Sequence, residues 1–322
     1  MQIKRITVIG CGRWGSFIAK HLSDLGFAVT LYGRATSAKM QALLQSRRTA
    51  LMTLPDGVSL CLDLTTALHN ADLIVISIGA QSLRALLTEM RNTGFTAGTL
   101  LLCMKGLEIG TGKRLSEIVG EELGEKAKVA VWLGPGHVQD FCKGTPNCMV
   151  IDSDDADTKQ LLVNSLASPL IRFYYGQDLI GNEIGAAAKN VIGIAAGMLD
   201  GLGLSPLKGA LMSRGTREIA RLIKALGGNE LSAYGLCHLG DYEATVFSPH
   251  SHNRGFGEAF VKGEAFTELA EGYYTVRALL TLAEQTGVDL PICRTVYAVL
   301  YEKASPKDAL SLLFARSLKN EF

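Results

Sequence analysis

Lys189 is the residue whose surroundings most demand explanation. It lies in the run Glu183-Ile184-Gly185-Ala186-Ala187-Ala188-Lys189-Asn190-Val191-Ile192-Gly193-Ile194-Ala195-Ala196-Gly197-Met198-Leu199-Asp200, and between Ile184 and Leu199 it is the only charged side chain. Small and aliphatic residues on every side of a helix mark it as buried. A lone ammonium there costs several kcal/mol unless it is paired or solvated. Burial in general lowers a lysine pKa, which suits it to giving or taking a proton near neutral pH. The plainer reading is a lysine that reaches from the helix edge to water.

Other residues could join such chemistry. Gly10-Cys11-Gly12-Arg13-Trp14-Gly15 follows the apolar run Ile6–Ile9 and precedes a helical stretch over 16–25. Strand, GxGxxG and helix in that order suit a dinucleotide: glycines permit a tight turn and close backbone approach, and the helix N-terminus faces the pyrophosphate. The next strand, Ala28–Tyr32, ends in Gly33-Arg34 without the acidic residue that would hold the ribose hydroxyls of NAD. Arg34 there favours NADPH or dual use, or is only an exposed strand-end arginine. Lys105-Gly106 and Gly134-Pro135-Gly136-His137 each follow an apolar run, at the strand ends where open α/β sheets bind ligands. The segment from Gly240 to Gly255 is dense in hydrogen-bonding groups: Thr245, Ser248, Ser251, Asn253 and Arg254 are of types that bind phosphate, Asp241 could orient a nearby lysine, and His252 lies among them; it reads equally as a polar loop between helices. His238, Asp241, His250 and His252 could in principle hold zinc, but their spacing matches no metal motif, and no metal is expected.

The elements that must position these residues change character along the chain. Strands are expected at 6–9, 28–32, 73–78, 99–104, 129–133, 148–151 and 171–175, alternating with helices. This pattern means an α/β fold with a Rossmann-type, doubly wound, mainly parallel sheet. After about residue 180 only helical periods remain: one helix begins near Ser205-Pro206 and stops at Gly227-Gly228, one spans 265–286, and one begins at Ser305-Pro306. The expected organisation is a dinucleotide-binding domain over 1–180 and an all-α substrate domain over 181–322. The Lys189 helix opens the second domain, and ligand sites favour domain interfaces.

Composition narrows the function. The 322 residues are 48% hydrophobic and 20% charged, with a formal net charge of +1; so near-neutral a chain argues against nucleic acid as a partner. Seven cysteines are dispersed without a CxxC, as in a reducing compartment. No secretory segment precedes the first strand, so a cytoplasmic location is expected. The apolar run around Lys189 is too short and too interrupted to span a membrane.

Taken together, these motifs resemble the bacterial NAD(P)-dependent sn-glycerol-3-phosphate dehydrogenase family over nearly the whole length. The resemblance rests on Gly10–Gly15, Ala71-Asp72-Leu73-Ile74, Lys105-Gly106-Leu107-Glu108, Gly134-Pro135, Glu183 to Ile192, Asp200-Gly201-Leu202-Gly203, Arg214-Gly215, Gly227-Gly228, Leu239-Gly240-Asp241 and Glu271-Gly272. It implies a homodimer that reduces dihydroxyacetone phosphate to sn-glycerol 3-phosphate with NAD or NADP, for phospholipid synthesis. It implies that Lys189 is the proton donor and acceptor, assisted by Lys105 and Asp241. The substrate would be held by Lys105, Gly134, Gly136, Lys189, Asn190, Asp241, Thr245, Ser251, His252 and Asn253. The cofactor would be held by Gly10, Gly12, Arg13, Trp14, Gly15, Arg34, Lys105, Val138, His252 and Glu271.

Three positions depart from the family pattern. Gly136 stands where the family has Ser, His252 where it has Arg, and Ile78-Gly79-Ala80 lacks a proline common there. A histidine lacks the bidentate fork of arginine; Arg254, two residues on, is a candidate to compensate. The departures leave two rivals: a related dehydrogenase for another substrate, and a weakly catalytic paralogue that binds nucleotide.

Overall fold

The computed structural model describes residues 2–95, 97–124, 126–317 and 320. Among these residues, eight strands form one sheet: β1 (Arg5–Ile9), β2 (Ala28–Tyr32), β3 (Val58–Cys61), β4 (Leu73–Ile76), β5 (Gly98–Leu102), β6 (Ala127–Leu133), β7 (Asn147–Asp152) and β8 (Ile171–Tyr175). Their order is β3-β2-β1-β4-β5-β6-β7-β8. Neighbours run parallel except β6 and β7, which pair antiparallel with Val131 opposite Asp152. This is the expected doubly wound, mainly parallel sheet. β4 is buried at every position, as a strand covered on both faces requires. The strand order reverses between β1 and β4, so the crevice beyond their carboxyl ends is the topological switch point.

One strand, β3, was not anticipated. It has only four residues, includes Ser59, and lies at the sheet edge, pairing Val29 with Val58. Its sequence alone carries too little apolar periodicity to mark it. The seven cysteines are free thiols, in keeping with their dispersed spacing.

The chain divides into two compact units: Met1–Lys105 with Arg114–Leu179, and Gly106–Lys113 with Ile180–Phe322. The division near 180 therefore needs an amendment. Residues 106–113 belong to the helical unit, where Leu107 is fully buried in the core. A second amendment concerns the helix expected over 265–286. It begins only at Glu271, because Ala270 is extended and the preceding residues 264–269 are irregular, with Phe266 packed on Phe256. The helices His252–Lys262 and Pro291–Tyr301 were also not foreseen. Among the described residues, no helix is long and apolar enough to cross a membrane.

The helical unit is built around Leu179–Gly201, 23 residues long, with every residue from Glu183 to Leu199 buried. Gly193, Gly197 and Gly201 recur every fourth residue and share one face. A Cβ at Gly197 would overlap the Arg254 carbonyl, and one at Gly201 would overlap Val261. Reciprocally, a Cβ at Gly257 would overlap the Ile194 carbonyl. Glycine is thus the residue that lets the His252–Lys262 helix lie backbone to backbone on the central helix.

Gly197→Ala should therefore destabilise the helical unit by about 3 kcal/mol through overpacking. Gly209→Ala, at a helical glycine with open space around it, should instead stabilise by about 0.5–1 kcal/mol. Urea denaturation followed by circular dichroism compares the two; effects of the same sign would contradict the packing described.

Candidate active site

In the α/β unit the glycine loop follows β1 directly. Gly10 has φ +113°, and a Cβ there would run into the Ser77 carbonyl beyond β4. A Cβ at Gly15 would run into the carbonyl of Gly10. Two of the three motif glycines are therefore required sterically. The third, Gly12, is the N-cap of the helix Arg13–Asp24 and puts no side-chain cap over its first N–H groups. That open N-terminus at the switch point suits a pyrophosphate, so the residues present fit a dinucleotide.

The neighbouring side chains have varied surroundings. Arg13 is exposed at the helix start. Trp14 packs in an aromatic cluster with Phe17, Trp132 and Phe141, at centroid separations of 5.4, 6.0 and 5.9 Å. Its side chain thus braces the loop. Arg34 is exposed and pairs with Glu89 at 3.3 Å, a contact solvent leaves weak and so easily exchanged for another anion.

Lys105 Nζ donates to the Gly134 carbonyl at 2.6 Å, joining two of the expected strand-end residues. Gly134 and Gly136 both take positive φ, +121° and +138°. A Cβ at Gly136 would lie 2.5 Å from Phe141 Cε2. The glycine in place of serine is thus coupled to Phe141 and to the backbone turn, a reason invisible in the linear sequence. Val138 is buried at the start of the helix Val138–Cys142.

In the helical unit Lys189 is 8% exposed and Asp241 1%. Lys189 Nζ lies 2.9 Å from Asp241 Oδ2 and donates to Thr245 Oγ1 at 2.7 Å. Thr245 Oγ1 in turn donates to the Asp241 carbonyl at 2.7 Å. So the lysine does not reach for water: a carboxylate and a hydroxyl replace its hydration inside the protein. Asp241 ends the short 3-10 turn Leu239–Asp241, and Thr245 lies in the π-turn Glu243–Phe247, a backbone form common at functional sites. Gly193 makes room for it, since a Cβ there would lie 2.7 Å from Thr245 Cγ2.

Asn190 and Asn253 meet as well. Asn253 Nδ2 donates to Asn190 Oδ1 at 3.0 Å, and Asn253 Oδ1 accepts from Gly272 N–H at 2.9 Å. These bonds fix the start of the helix Glu271–Thr286, and with it Glu271. Ser251 caps the helix His252–Lys262, its Oγ accepting from Arg254 N–H at 3.3 Å. His252 Nδ1 lies 3.3 Å from the Leu269 carbonyl. Arg254 does not compensate for the arginine absent at 252: its guanidinium binds Asp200 at 2.7 Å and Glu258 at 3.2 Å.

His238, weighed above as a metal ligand, has another occupation. Its Nδ1 is 2.8 Å from the Gly185 carbonyl and its Nε2 2.7 Å from Tyr242 Oη. Burial pushes its pKa down to about 4, against the Gly185 bond and the nearby Asp241 charge, which raise it. The neutral ring joins the central helix to the segment that carries Asp241. The sequence gives one faint signal for this: Gly185, where a Cβ would lie 3.0 Å from His238 Cβ.

A cavity of about 820 Å³ opens elsewhere in the helical unit, lined by Met198, Leu211, Arg217 and Ile292 among others, but not by Lys189, Asp241 or Thr245. Its buried carboxylate, Glu218, accepts from Ile292 and Cys293 N–H at 2.8 and 3.0 Å. Burial pushes Glu218 up to about 7, with those N–H groups pulling it down. Glu218 caps a helix, whereas the Lys189 cluster pairs a buried cation with a carboxylate and a hydroxyl, an arrangement able to give and take a proton.

The sheet order and the glycine loop at its switch point define the class: a Rossmann-type dinucleotide-binding protein with a helical second unit. Comparison with known proteins narrows it. Residues 5–159 match the model of the NAD-dependent glycerol-3-phosphate dehydrogenase N-terminus and residues 178–311 that of its C-terminus. The chain is 35% identical over 330 residues to a glycerol-3-phosphate dehydrogenase, NAD(P)+, of Prosthecochloris aestuarii, covering 98% of this chain and 99% of the relative. A protein of the same name from Corynebacterium glutamicum strain R is 36% identical over 329 residues, with the same coverage. The crystal structure of glycerol-3-phosphate dehydrogenase from Coxiella burnetii superposes with a TM-score of 0.91 at 27% identity, over 98% of this chain and 99% of that one. The chain belongs to the NAD-dependent glycerol-3-phosphate dehydrogenase family.

The neutral, buried His238 makes a pH prediction. Its folded pKa, about 4, lies below the ordinary 6.5, so between these values the unfolded chain binds more protons. Its contribution, on the order of 3 kcal/mol, is full above pH 6.5 and is lost as pH falls towards 4. Glu218 acts oppositely, but equally in any His238 variant. Denaturation midpoints measured from pH 7 to 4.5 should fall more steeply for the wild type than for His238→Gln; parallel slopes would contradict the buried neutral ring.

Proposed function

We propose that the chain catalyses the reversible NAD(P)H-dependent reduction of dihydroxyacetone phosphate to sn-glycerol 3-phosphate. The observation that carries this is the buried cluster of Lys189, Asp241 and Thr245, in a chain of this family. When bound, NADPH or NADH supplies the hydride that reaches the substrate carbonyl carbon. Lys189 delivers a proton to the carbonyl oxygen as negative charge grows on it, and takes it back in the reverse direction. Asp241 keeps the ammonium oriented. Thr245 fixes it from a second side, and Lys105 adds positive potential.

The remaining roles follow the family. Gly134, Gly136, Asn190, Ser251, His252 and Asn253 hold the substrate, chiefly its phosphate. Gly10, Gly12, Arg13, Trp14, Gly15, Arg34, Lys105, Val138, His252 and Glu271 hold the cofactor. The absence of an acid after β2, with Arg34 in its place, supports use of NADPH. A cytoplasmic homodimer serving phospholipid synthesis is the setting this reading implies.

Lys189→Ala should lose turnover of dihydroxyacetone phosphate, by a factor of about 10³ or more, while still binding NADPH. Absorbance at the NADPH band measures the first and fluorescence titration the second. Wild-type turnover in the variant would overturn the assignment. His252 and the engagement of Arg254 by Asp200 favour a weak grip on the phosphate. His252→Arg should therefore lower KM for dihydroxyacetone phosphate by about tenfold, the worth of one charge-assisted hydrogen bond. An unchanged KM, together with turnover of ketones that lack phosphate, would favour a related dehydrogenase with another substrate.

A further inference from the structure

Asp200 closes the central helix and joins two cations that each hold a second, backbone acceptor. Its Oδ2 accepts from Lys208 Nζ at 2.6 Å and from Arg254 Nη1 at 2.7 Å, and its Oδ1 accepts from Ser205 Oγ at 2.6 Å. Lys208 Nζ also donates to the Val246 carbonyl at 3.0 Å, next to Thr245. Arg254 Nε donates to the Ser248 carbonyl at 3.2 Å, and Arg254 N–H meets Ser251 Oγ. The network is largely removed from water: the side chains of Asp200, Lys208 and Arg254 are 12%, 9% and 18% exposed. Burial pushes the Asp200 carboxyl up, but Lys208, Ser205 and Arg254 together bring it below its ordinary value.

The carbonyls so held need holding. The π-turn Glu243–Phe247 leaves the regular helical bonding pattern, and Ser248 to Ser251 join it to the next helix. The Ser248 carbonyl also accepts from Ser251 N–H at 3.3 Å, and buried carbonyls in such a segment that lack a regular helical partner need donors from elsewhere. Two donors come from these cations, whose own burial is offset by Asp200, which pairs with both, and for Arg254 also by Glu258 at 3.2 Å.

We infer that Asp200 is a positioning residue for substrate: through Lys208 and Arg254 it sets the backbone of 246–248, and thereby the places of Thr245 and Ser251. The inference rests on the assignment of substrate to Thr245, Ser251 and Asn253. It explains why Arg254, although adjacent to the phosphate-binding residues, is not itself a phosphate ligand. It also accounts for the distance in sequence between Asp200 and the segment it governs, since the glycine face of the central helix brings them together.

Asp200→Asn removes the charge and leaves one acceptor for three donors. It should raise KM for dihydroxyacetone phosphate by about tenfold to a hundredfold, with a smaller fall in kcat and with KM for NADPH within about twofold of wild type. Lys208→Met, which spares the Arg254 contact, should give a smaller rise of the same kind, and serves if Asp200→Asn does not fold. Adding Arg254→Met to Asp200→Asn should cost less than the two single effects combined. A folded Asp200→Asn with unchanged KM would overturn the inference. So would equal losses in KM for substrate and for NADPH, which mark general loosening. The wild type assayed alongside separates the two levels: if it does not turn over dihydroxyacetone phosphate at all, it is the functional assignment that fails.

Discussion

The buried pair of Lys189 and Asp241 is the constraint around which the helical unit is organised. An ammonium in the middle of an apolar helix is tolerable only with a carboxylate beside it, and removing one partner from such a pair costs about 3–5 kcal/mol. Meeting that need requires Asp241, which lies far along the chain, to be brought against the centre of Leu179–Gly201 and held there. The surrounding features do this. His238 ties the segment back to the Gly185 carbonyl, Tyr242 meets the other ring nitrogen, and Thr245 closes the cluster from the π-turn.

Close packing on the central helix is the second condition. Its glycines at 193, 197 and 201 admit Thr245, the backbone at Arg254 and Val261. Side chains there would push the π-turn and the His252–Lys262 helix outward. The same approach brings Asn253 onto Asn190 and then onto Gly272. One helix thereby supplies the proposed proton donor, the room for its partners, and the anchor of the segment proposed to hold the phosphate.

Much of the fold was legible because a sheet buried on both faces leaves continuous apolar runs, and because Gly10, Gly12 and Gly15 directly follow the first of them. Lys189 was legible because a charge among alanines and glycines has no cheap explanation. Long-range coupling was not. The strand Val58–Cys61 is defined by pairing with β2 more than by its own residues. The helix starting at His252 is hidden in a polar stretch because Ser251 caps it and its first residues, His252, Asn253 and Arg254, are polar and half-buried rather than core. Gly136 looked like a lost serine, and only the position of Phe141 shows why a side chain does not fit. Arg254 looked available for a phosphate, and only Asp200 shows that it is taken. In each case the deciding partner is distant in sequence.

The central claim is that Lys189 transfers a proton and does more than supply positive charge. Chemical rescue of Lys189→Ala tests this most directly, with NADPH oxidation by dihydroxyacetone phosphate followed in the presence of added cations. Methylamine, which carries a transferable proton and fits the space the side chain leaves, should restore turnover in a saturable way, while tetramethylammonium should not. Equal recovery with both cations would contradict the claim, because charge alone would then suffice.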